Sequence, residues 1–238
     1  MKKAIILCSG GLDSVVTAYH VKKNLKYNKI VILFFNYNQR SLAEERKCSV
    51  KCTKEIDAEF REINLSSLVN LSVLNNKNAK IEKISRKKLK NSSEESRKLY
   101  VPCRNIIFLV YALALAESFY KEKKGTYDIF IGLKNEGKES YPDTTPEFVE
   151  EMNKLSRIAC YKNFKIKAPL IKKDKEDIIK LGAKLGVNFK DTFSCYSSIK
   201  GRHCGCCLAC RLRQEGFYWA NKKDSTEYQE KMKDFRSA

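Results

Sequence analysis

The sequence predicts an α/β fold, a doubly wound and mostly parallel sheet followed by a small C-terminal zinc-binding module. Three observations predict it. Short apolar runs alternate with helix-periodic stretches in βαβα order. The second of these runs is apolar almost throughout, as expected for a parallel strand buried on both faces. Five of the ten cysteines crowd one short stretch near the C-terminus.

In chain order, residues 4–7 form a β-branched apolar run that stops at Ser9-Gly10-Gly11. Leu12, Val15, Val16 and Tyr19 then recur at i, i+3, i+4 and i+7, which makes a strand–turn–helix unit. Residues 29–35 (KIVILFF) form the second strand, 41–59 a polar helix, and 62–65 a third strand. Strands joined by helices of this length imply right-handed crossovers and a parallel sheet. Residues 72–98 are dominated by Lys, Asn and Ser and read as a mobile, basic surface insertion. A strongly apolar stretch over 105–117 reads as a buried helix, and 128–132 (DIFIG) as a strand ending at glycine. Helices follow over 148–158, opened by Pro146-Glu147, and over 175–185. A charged helical tail begins near Leu212. There is no internal repeat.

The chain has 238 residues, and at roughly 150 residues per domain this suggests one large domain with a small module. A hydrophobic content of 43% excludes disorder for most of it. No apolar run approaches the roughly 18 residues of a membrane span. The apolar run behind Lys2 and Lys3 is too short for a signal-peptide core, so a cytoplasmic location is expected. With 47 basic against 28 acidic residues, the charge of +19 points to anionic partners: nucleotide, nucleic acid or an acidic protein. The lysines are spread along the chain, however, so charge alone selects none of these. The five cysteines outside the cluster read as buried small hydrophobes.

SGGLDS at residues 9–14 sits where the first strand meets the first helix, the phosphate-binding position of open α/β sheets. Gly10 and Gly11 let the backbone approach a ligand, amides at the helix start face negative charge, and Ser9 and Ser14 add hydroxyls. A carboxylate at Asp13 is unfavourable there unless it positions a metal or a donor. GxxxxGK[ST] is absent, so this is no ordinary NTPase cradle. The competing reading is a tight turn with an N-cap serine. The motif resembles the PP-loop of the ATP pyrophosphatase superfamily.

Cys204, Cys207 and Cys210 follow C-x2-C-x2-C, with Cys195 nine residues upstream. Four thiolates from a knuckle and one loop suit a closed, structural, tetrahedral Zn²⁺ site. Disulfides and an iron–sulfur cluster are the competing readings. Cys206 directly precedes Cys207 and points away from it, and His203 reads as a residue outside the ligand set or at the surface.

Taken together, these motifs make the chain similar to the 7-cyano-7-deazaguanine synthases of queuosine biosynthesis over nearly its whole length. Besides SGGLDS, residues 37–40 read YNQR against that family's YGQR. Residues 100–105 read YVPCRN against VPGRN, and 141–148 read YPDTTPEF against YPDCRPEF. Residues 167–170 (KAPL) and 175–178 (KEDI) resemble its TPL…K-x-E-I stretch. SCY at 194–196 and HCGCCLAC at 203–210 match its zinc module.

The resemblance implies a PP-loop nucleotide-binding domain over 1–190, with the basic insertion, and a zinc module with a C-terminal helix over 191–238. Ser9, Gly10, Gly11, Leu12, Asp13 and Ser14 would hold ATP. Asp13, Arg104 and Lys175 would be catalytic, the two cations through phosphate or developing negative charge. Arg40, Asn105 and Asp143 would bind substrate, although Asn105 and Asp143 also read as helix-entry residues. Cys195, Cys204, Cys207 and Cys210 would hold Zn²⁺. ATP and Mg²⁺ complete the cofactors, and the partners are a 7-deazapurine substrate, ammonia and a second copy of the chain in a homodimer. The implied reaction is AMP-forming ligation of 7-carboxy-7-deazaguanine with ammonia to give the nitrile.

The departures lie in the acceptor segments. Cys103 replaces a glycine, Ser41 a histidine and Thr145 an arginine, while Lys134, Asn135 and Glu136 bring charge to a segment expected to face substrate. Two alternatives follow. One is a relative that joins the activated carboxylate to another amine, such as that of an acidic protein. The other is a PP-loop protein that modifies tRNA or binds nucleic acid through the insertion and knuckle.

Overall fold

The alternation of apolar and polar stretches resolves, in a computed structural model that describes residues 1–134, 141–198 and 200–230, into one parallel sheet. Its strands are β1 (Lys3–Leu7), β2 (Lys29–Asn36), β3 (Glu59–Asn64), β4 (Asp128–Ile131) and β5 (Ile166–Lys167), in the order β3-β2-β1-β4-β5. The helices are α1 (Leu12–Lys23), α2 (Leu42–Glu55), α3 (Ser93–Leu99), α4 (Arg104–Lys121), α5 (Pro146–Ala159), α6 (Lys175–Lys184) and α7 (Leu208–Trp219).

Alternate side chains of the central strands serve two cores. Ala4, Ile6, Ile30 and Ile32 pack against α1, α6 and the end of α7, with Cys52 of α2 and Ile56, which caps that helix, at the edge. Ile5, Leu7, Val31 and Leu33 pack against α4 and α5 on the other face. Each fully buried Ile, Leu or Val contributes about 1.5–3 kcal/mol, and that two-sided burial is why these strands carry no polar alternation. From β1 the chain steps to β2 on one side and later to β4 on the other. The end of β1 is therefore the point where the winding reverses, which is where open α/β sheets bind ligands. No single described helix is long and apolar enough to cross a membrane, although α3 and α4 taken together, bent by 47°, pass that test by length and composition.

Three details differ from the sequence expectation. β3 starts at Glu59, earlier than residue 62, because its alternating charges (EFREIN) suit an edge strand and mask the pattern. β5 is two residues long and carries no readable period. The segment 72–98 is folded onto the body: with the adjoining Leu99 it forms a 3₁₀ turn (Lys87–Asn91) and α3, and Leu74, Ile84 and Leu99 are buried against Tyr37, Val101 and Leu208. Ile84 N–H donates to the Cys206 carbonyl at 2.7 Å, so this basic segment is also stitched to the cysteine knuckle.

Cys103 precedes α4 with φ +56°, a left-handed conformation. A side chain there costs about 1–2 kcal/mol, and it stands where the resembling family has glycine. Cys103 is also exposed, unlike the buried role expected of it. Cys103→Gly should stabilise the fold by about 1 kcal/mol and raise Tm by roughly 2–4 °C in a thermal melt.

Candidate active site and metal centre

A cavity of about 330 Å³ opens at the C-terminal ends of β1, β2 and β4. Its floor is the loop that joins β1 to α1. Gly10 lies at φ +78°, and a Cβ there would sit 2.3 Å from the Glu45 carbonyl oxygen and 2.8 Å from Ser49 N, so only glycine lets the loop lie against α2. From the other side, a Cβ on Gly132 would meet Ser14 Cα at 2.9 Å. Ser14 Oγ donates to the Gly11 carbonyl at 3.0 Å, and Ser9 Oγ accepts from Gly11 N–H at 3.3 Å. These hydroxyls shape the loop without capping α1. Gly11, its N-cap, makes no side-chain cap, which leaves first-turn amides for an anion.

Asp13 and Lys175 meet across this floor, with Lys175 Nζ 2.8 Å and 2.7 Å from the two Asp13 oxygens. Each side chain is about a quarter exposed. The carboxylate therefore positions a donor, one of the two roles that would justify it in an anion site. Arg104, first in α4, lines the same cavity and leans on the Asn105 amide oxygen at 3.2 Å and on the rings of Tyr37 and Phe108. Arg40 also lines it, while its guanidinium donates to the carbonyls of Asn76 and Ala79 in the insertion.

Asp143 stands apart from this set. It is buried behind the wall, where a carboxylate oxygen accepts from Asn105 N–H at 3.4 Å and its carbonyl accepts from Asn105 Nδ2 at 3.2 Å. Burial raises its pKa above the usual carboxylate value, against Arg104 and the Asn105 amide. Asp143 and Asn105 thus join the start of α4 to the turn before α5, and of the two it is Asn105 that lines the cavity. Thr145 is the N-cap of α5, accepting from Phe148 N–H at 3.1 Å, and it is Thr144 that lines the cavity. Lys134 lines it as well; Asn135 and Glu136 lie outside the described residues.

Several lining residues carried no signal in the sequence. Phe35 and Phe108 stack with centroids 4.0 Å apart at 6°, with Tyr37 tilted against Phe108 at 5.6 Å. Flat aromatic faces of this kind suit a planar heterocycle. Glu45 of α2 is the other carboxylate among the lining residues, and it differs from neighbouring Glu44 only in the direction it faces. Arg213 of α7 is 1% exposed, bound to Thr192 Oγ1, the Phe189 carbonyl and Asp224.

The cysteine cluster is the second centre. The sulfurs of Cys195, Cys204, Cys207 and Cys210 all lie within 4.8 Å of one another, and all four residues are buried. Cys195 to Cys207 is 4.0 Å and Cys204 to Cys210 is 3.9 Å. A tetrahedron with metal–sulfur bonds of about 2.3 Å has edges of about 3.8 Å, whereas a disulfide is about 2.05 Å long. The spacing fits one tetrahedral ion such as Zn²⁺. Backbone N–H groups of Ser197 and Cys204 reach Cys195 Sγ at 3.3 Å, and that of Cys207 reaches Cys204 Sγ at 3.3 Å, which favours thiolates. Cys206 is buried but stands outside the ligand set. His203 is buried too, not at the surface: its Nε2 accepts from Ser194 N–H at 3.1 Å, and burial lowers its pKa to about 4, so it is neutral at pH 7.

A parallel sheet whose first strand ends in SGGLDS, with a lysine from α6 clamped to the loop's aspartate, defines an α/β protein of the PP-loop class. The model of the family described as "Queuosine biosynthesis protein QueC" matches residues 3–221, and the chain belongs to that family. The 7-cyano-7-deazaguanine synthase of Campylobacter fetus is 37% identical over 232 residues, covering 96% of this chain and 98% of its own. That of Methanoculleus marisnigri is 35% identical over 234 residues, covering 96% and 100%. Among solved structures, an NMN synthetase from Francisella tularensis aligns with 94% of this chain and 79% of its own at 12% identity and a TM-score of 0.43, a likeness too loose to bear on function.

Metal analysis of the purified chain should find one zinc per chain. Cys→Ser at Cys195, Cys204, Cys207 or Cys210 should release it and lower Tm sharply, whereas Cys206→Ser should keep it. Iron at that stoichiometry, or metal retained after loss of one of the four, would contradict the assignment.

Proposed function

We propose that this chain is an ATP-dependent, AMP-forming carbon–nitrogen ligase that converts 7-carboxy-7-deazaguanine and ammonia into 7-cyano-7-deazaguanine. The observation that carries the reading is a single cavity in which a PP-loop faces an aromatic wall, in a chain alike end to end with relatives of that name. That full-length likeness favours this reading over protein conjugation and over tRNA modification.

In this reading the substrate carboxylate attacks the α-phosphate of ATP, and pyrophosphate leaves. Loop amides at the start of α1 and the hydroxyls of Ser9 and Ser14 hold the pyrophosphate, and Lys175, oriented by Asp13, meets its developing charge. When bound, Mg²⁺ supplies further charge neutralisation on the phosphates. Arg104 steadies the carboxylate end of the substrate, with the deazapurine ring against Phe108 and Tyr37. Ammonia displaces AMP to give the amide. A second adenylation, on the amide oxygen, lets AMP leave again as the nitrogen gives up both of its protons, and the nitrile remains. No covalent protein nucleophile is needed; catalysis is positioning plus electrostatics. Arg40 and Asp143 act indirectly here, through the insertion and through Asn105. The metal that Cys195, Cys204, Cys207 and Cys210 would hold is structural Zn²⁺, and a cytoplasmic location, free ammonia and a homodimer belong to the same reading.

Turnover with ATP, 7-carboxy-7-deazaguanine and ammonium should release AMP and pyrophosphate, with the nitrile identified by mass. Asp13→Ala should reduce it by roughly 10²-fold or more while far-UV circular dichroism stays native. Release of ADP in place of AMP would overturn the proposal.

A further inference from the structure

The amide-forming step poses a chemical problem. At neutral pH ammonia arrives as ammonium, which has no lone pair, so a base must take a proton before nitrogen can attack. Among the described residues lining the cavity there is no histidine, and the carboxylates are Asp13 and Glu45. Asp13 is committed to Lys175 through both oxygens. Cys8 also lines the cavity, and a hydrogen bond with Cys52 lowers its thiol to about 7, but it is 1% exposed and directed at Ser14 Oγ under the loop, out of reach of the acyl carbon. Tyr37 is raised above its usual pKa by burial, so it holds its proton. Glu45 remains.

We propose that Glu45 is the general base of amide formation, binding the incoming ammonium ion in the cavity and taking a proton from it. The inference rests on the function proposed above. The Glu45 carboxylate accepts one proton from NH₄⁺, and the lone pair of the resulting NH₃ attacks the acyl carbon of the adenylate. The carbon–nitrogen bond forms, the bond from that carbon to the phosphate oxygen breaks, and AMP leaves with the electron pair. The nitrogen then loses its surplus proton to water, leaving the neutral amide.

Geometry places the group well. The Glu45 backbone packs on the PP-loop at Gly10, so the carboxylate belongs to the wall directly beside the adenylation floor. Its Oε2 accepts from Gln39 Nε2 at 3.0 Å. Gln39 is itself buried and fixed, donating to the Phe35 carbonyl at 3.0 Å and accepting from Tyr37 N–H at 2.9 Å. Oε1 has no hydrogen-bond partner among the described residues, which leaves it for a cationic donor. Four groups act on the carboxyl: Gln39 and Tyr37 from the turn after β2, Arg104 from α4, and, through its charge alone, Glu44 of its own helix, whose carboxylate is bonded to Ser198. Burial pushes the carboxyl up to about 7, with Glu44 pushing the same way, against the Gln39 N–H and the Arg104 charge. A base poised there is ionised in part at neutral pH and both takes and releases a proton readily. The ammonium-dependent rate should therefore fall as pH drops below about 7, where Glu45 is protonated.

The test compares Glu45→Gln with the parent chain in three assays: substrate-dependent exchange of pyrophosphate into ATP, amide formation from ammonium, and hydroxamate formation from hydroxylamine. Hydroxylamine is largely unprotonated at neutral pH and needs no base. Glu45→Gln should lose roughly 10²-fold in the ammonium reaction at neutral pH, a loss that shrinks as pH rises and free ammonia accumulates, while exchange and hydroxamate formation stay near the parent rates. Undiminished amide formation overturns the proposal, and so does an equal loss in all three assays, which would mark Glu45 as a structural residue. If the parent chain shows no exchange with 7-carboxy-7-deazaguanine, the function itself is wrong and this inference falls with it, a pattern that the variant cannot produce.

Discussion

The site depends on one constraint: the loop after β1 is squeezed between two backbones. On one side it touches the first turns of α2 at Gly10, and on the other the end of β4 at Gly132, at distances that leave no room for a Cβ. Contacts between backbones tolerate little adjustment, because neither partner has a rotamer to change. The loop is therefore fixed before any ligand arrives, which is the condition for electrostatic preorganisation. The same contact sets α2 in register with the loop, which is how Glu45, a residue with no local motif around it, comes to share a wall with Asp13. The Gly10 carbonyl also accepts from Phe193 N–H at 2.9 Å, so the segment leading into the cysteine knuckle hangs from the same residue.

What was legible in the sequence follows from where the packing signal is strong. β1, α1 and β2 are buried on both faces or along a full stripe, and their patterns are unambiguous. So are SGGLDS and the four cysteines, whose chemistry depends on local spacing. β3 and β5 were hard for opposite reasons, one an edge strand carrying charge and the other too short to show a period. The insertion misled because its few apolar residues are far apart in sequence: Leu74, Ile84 and Leu99 make a cluster only once Tyr37 and Leu208 are brought to them. Glu45, Phe108 and Arg213 were invisible for the same reason. Their roles come from tertiary neighbours, and nothing within a few residues of them distinguishes them from ordinary helix positions.

Charge shows the same split between composition and placement. The excess of +19 describes a surface on which most ion pairs are exposed, such as Lys98 with Glu94 or Lys154 with Glu150, and exposed pairs of this kind contribute little. The cations that matter to the site are few and individually held. Lys175 is locked to Asp13, Arg104 is pressed against aromatic rings, and Arg213 is fully buried with four partners. Removing a partner from such a group leaves a charge without compensation, which is far more disruptive than losing a surface lysine.

That arrangement bears on why a chain of this family carries a closed four-cysteine cluster beside its cavity. Phe193, Ser194 and Tyr196 flank Cys195, and Leu208, Ala209, Leu212 and Arg213 extend from Cys207 and Cys210 into α7; all of them line the cavity. The same stretch holds the insertion, through Cys206 to Ile84 and through Arg211 to the Ile84 carbonyl at 2.9 Å. Neither segment has enough apolar surface to fix itself, since the knuckle is short and the insertion polar. A metal ion held by the four cysteines would supply order that a core of this size does not, and would deliver it to the far wall of the cavity. Such an ion would complete the pocket by geometry: the loop, α1 and the sheet form the floor on their own, and the ion would hold the wall facing them at a fixed distance.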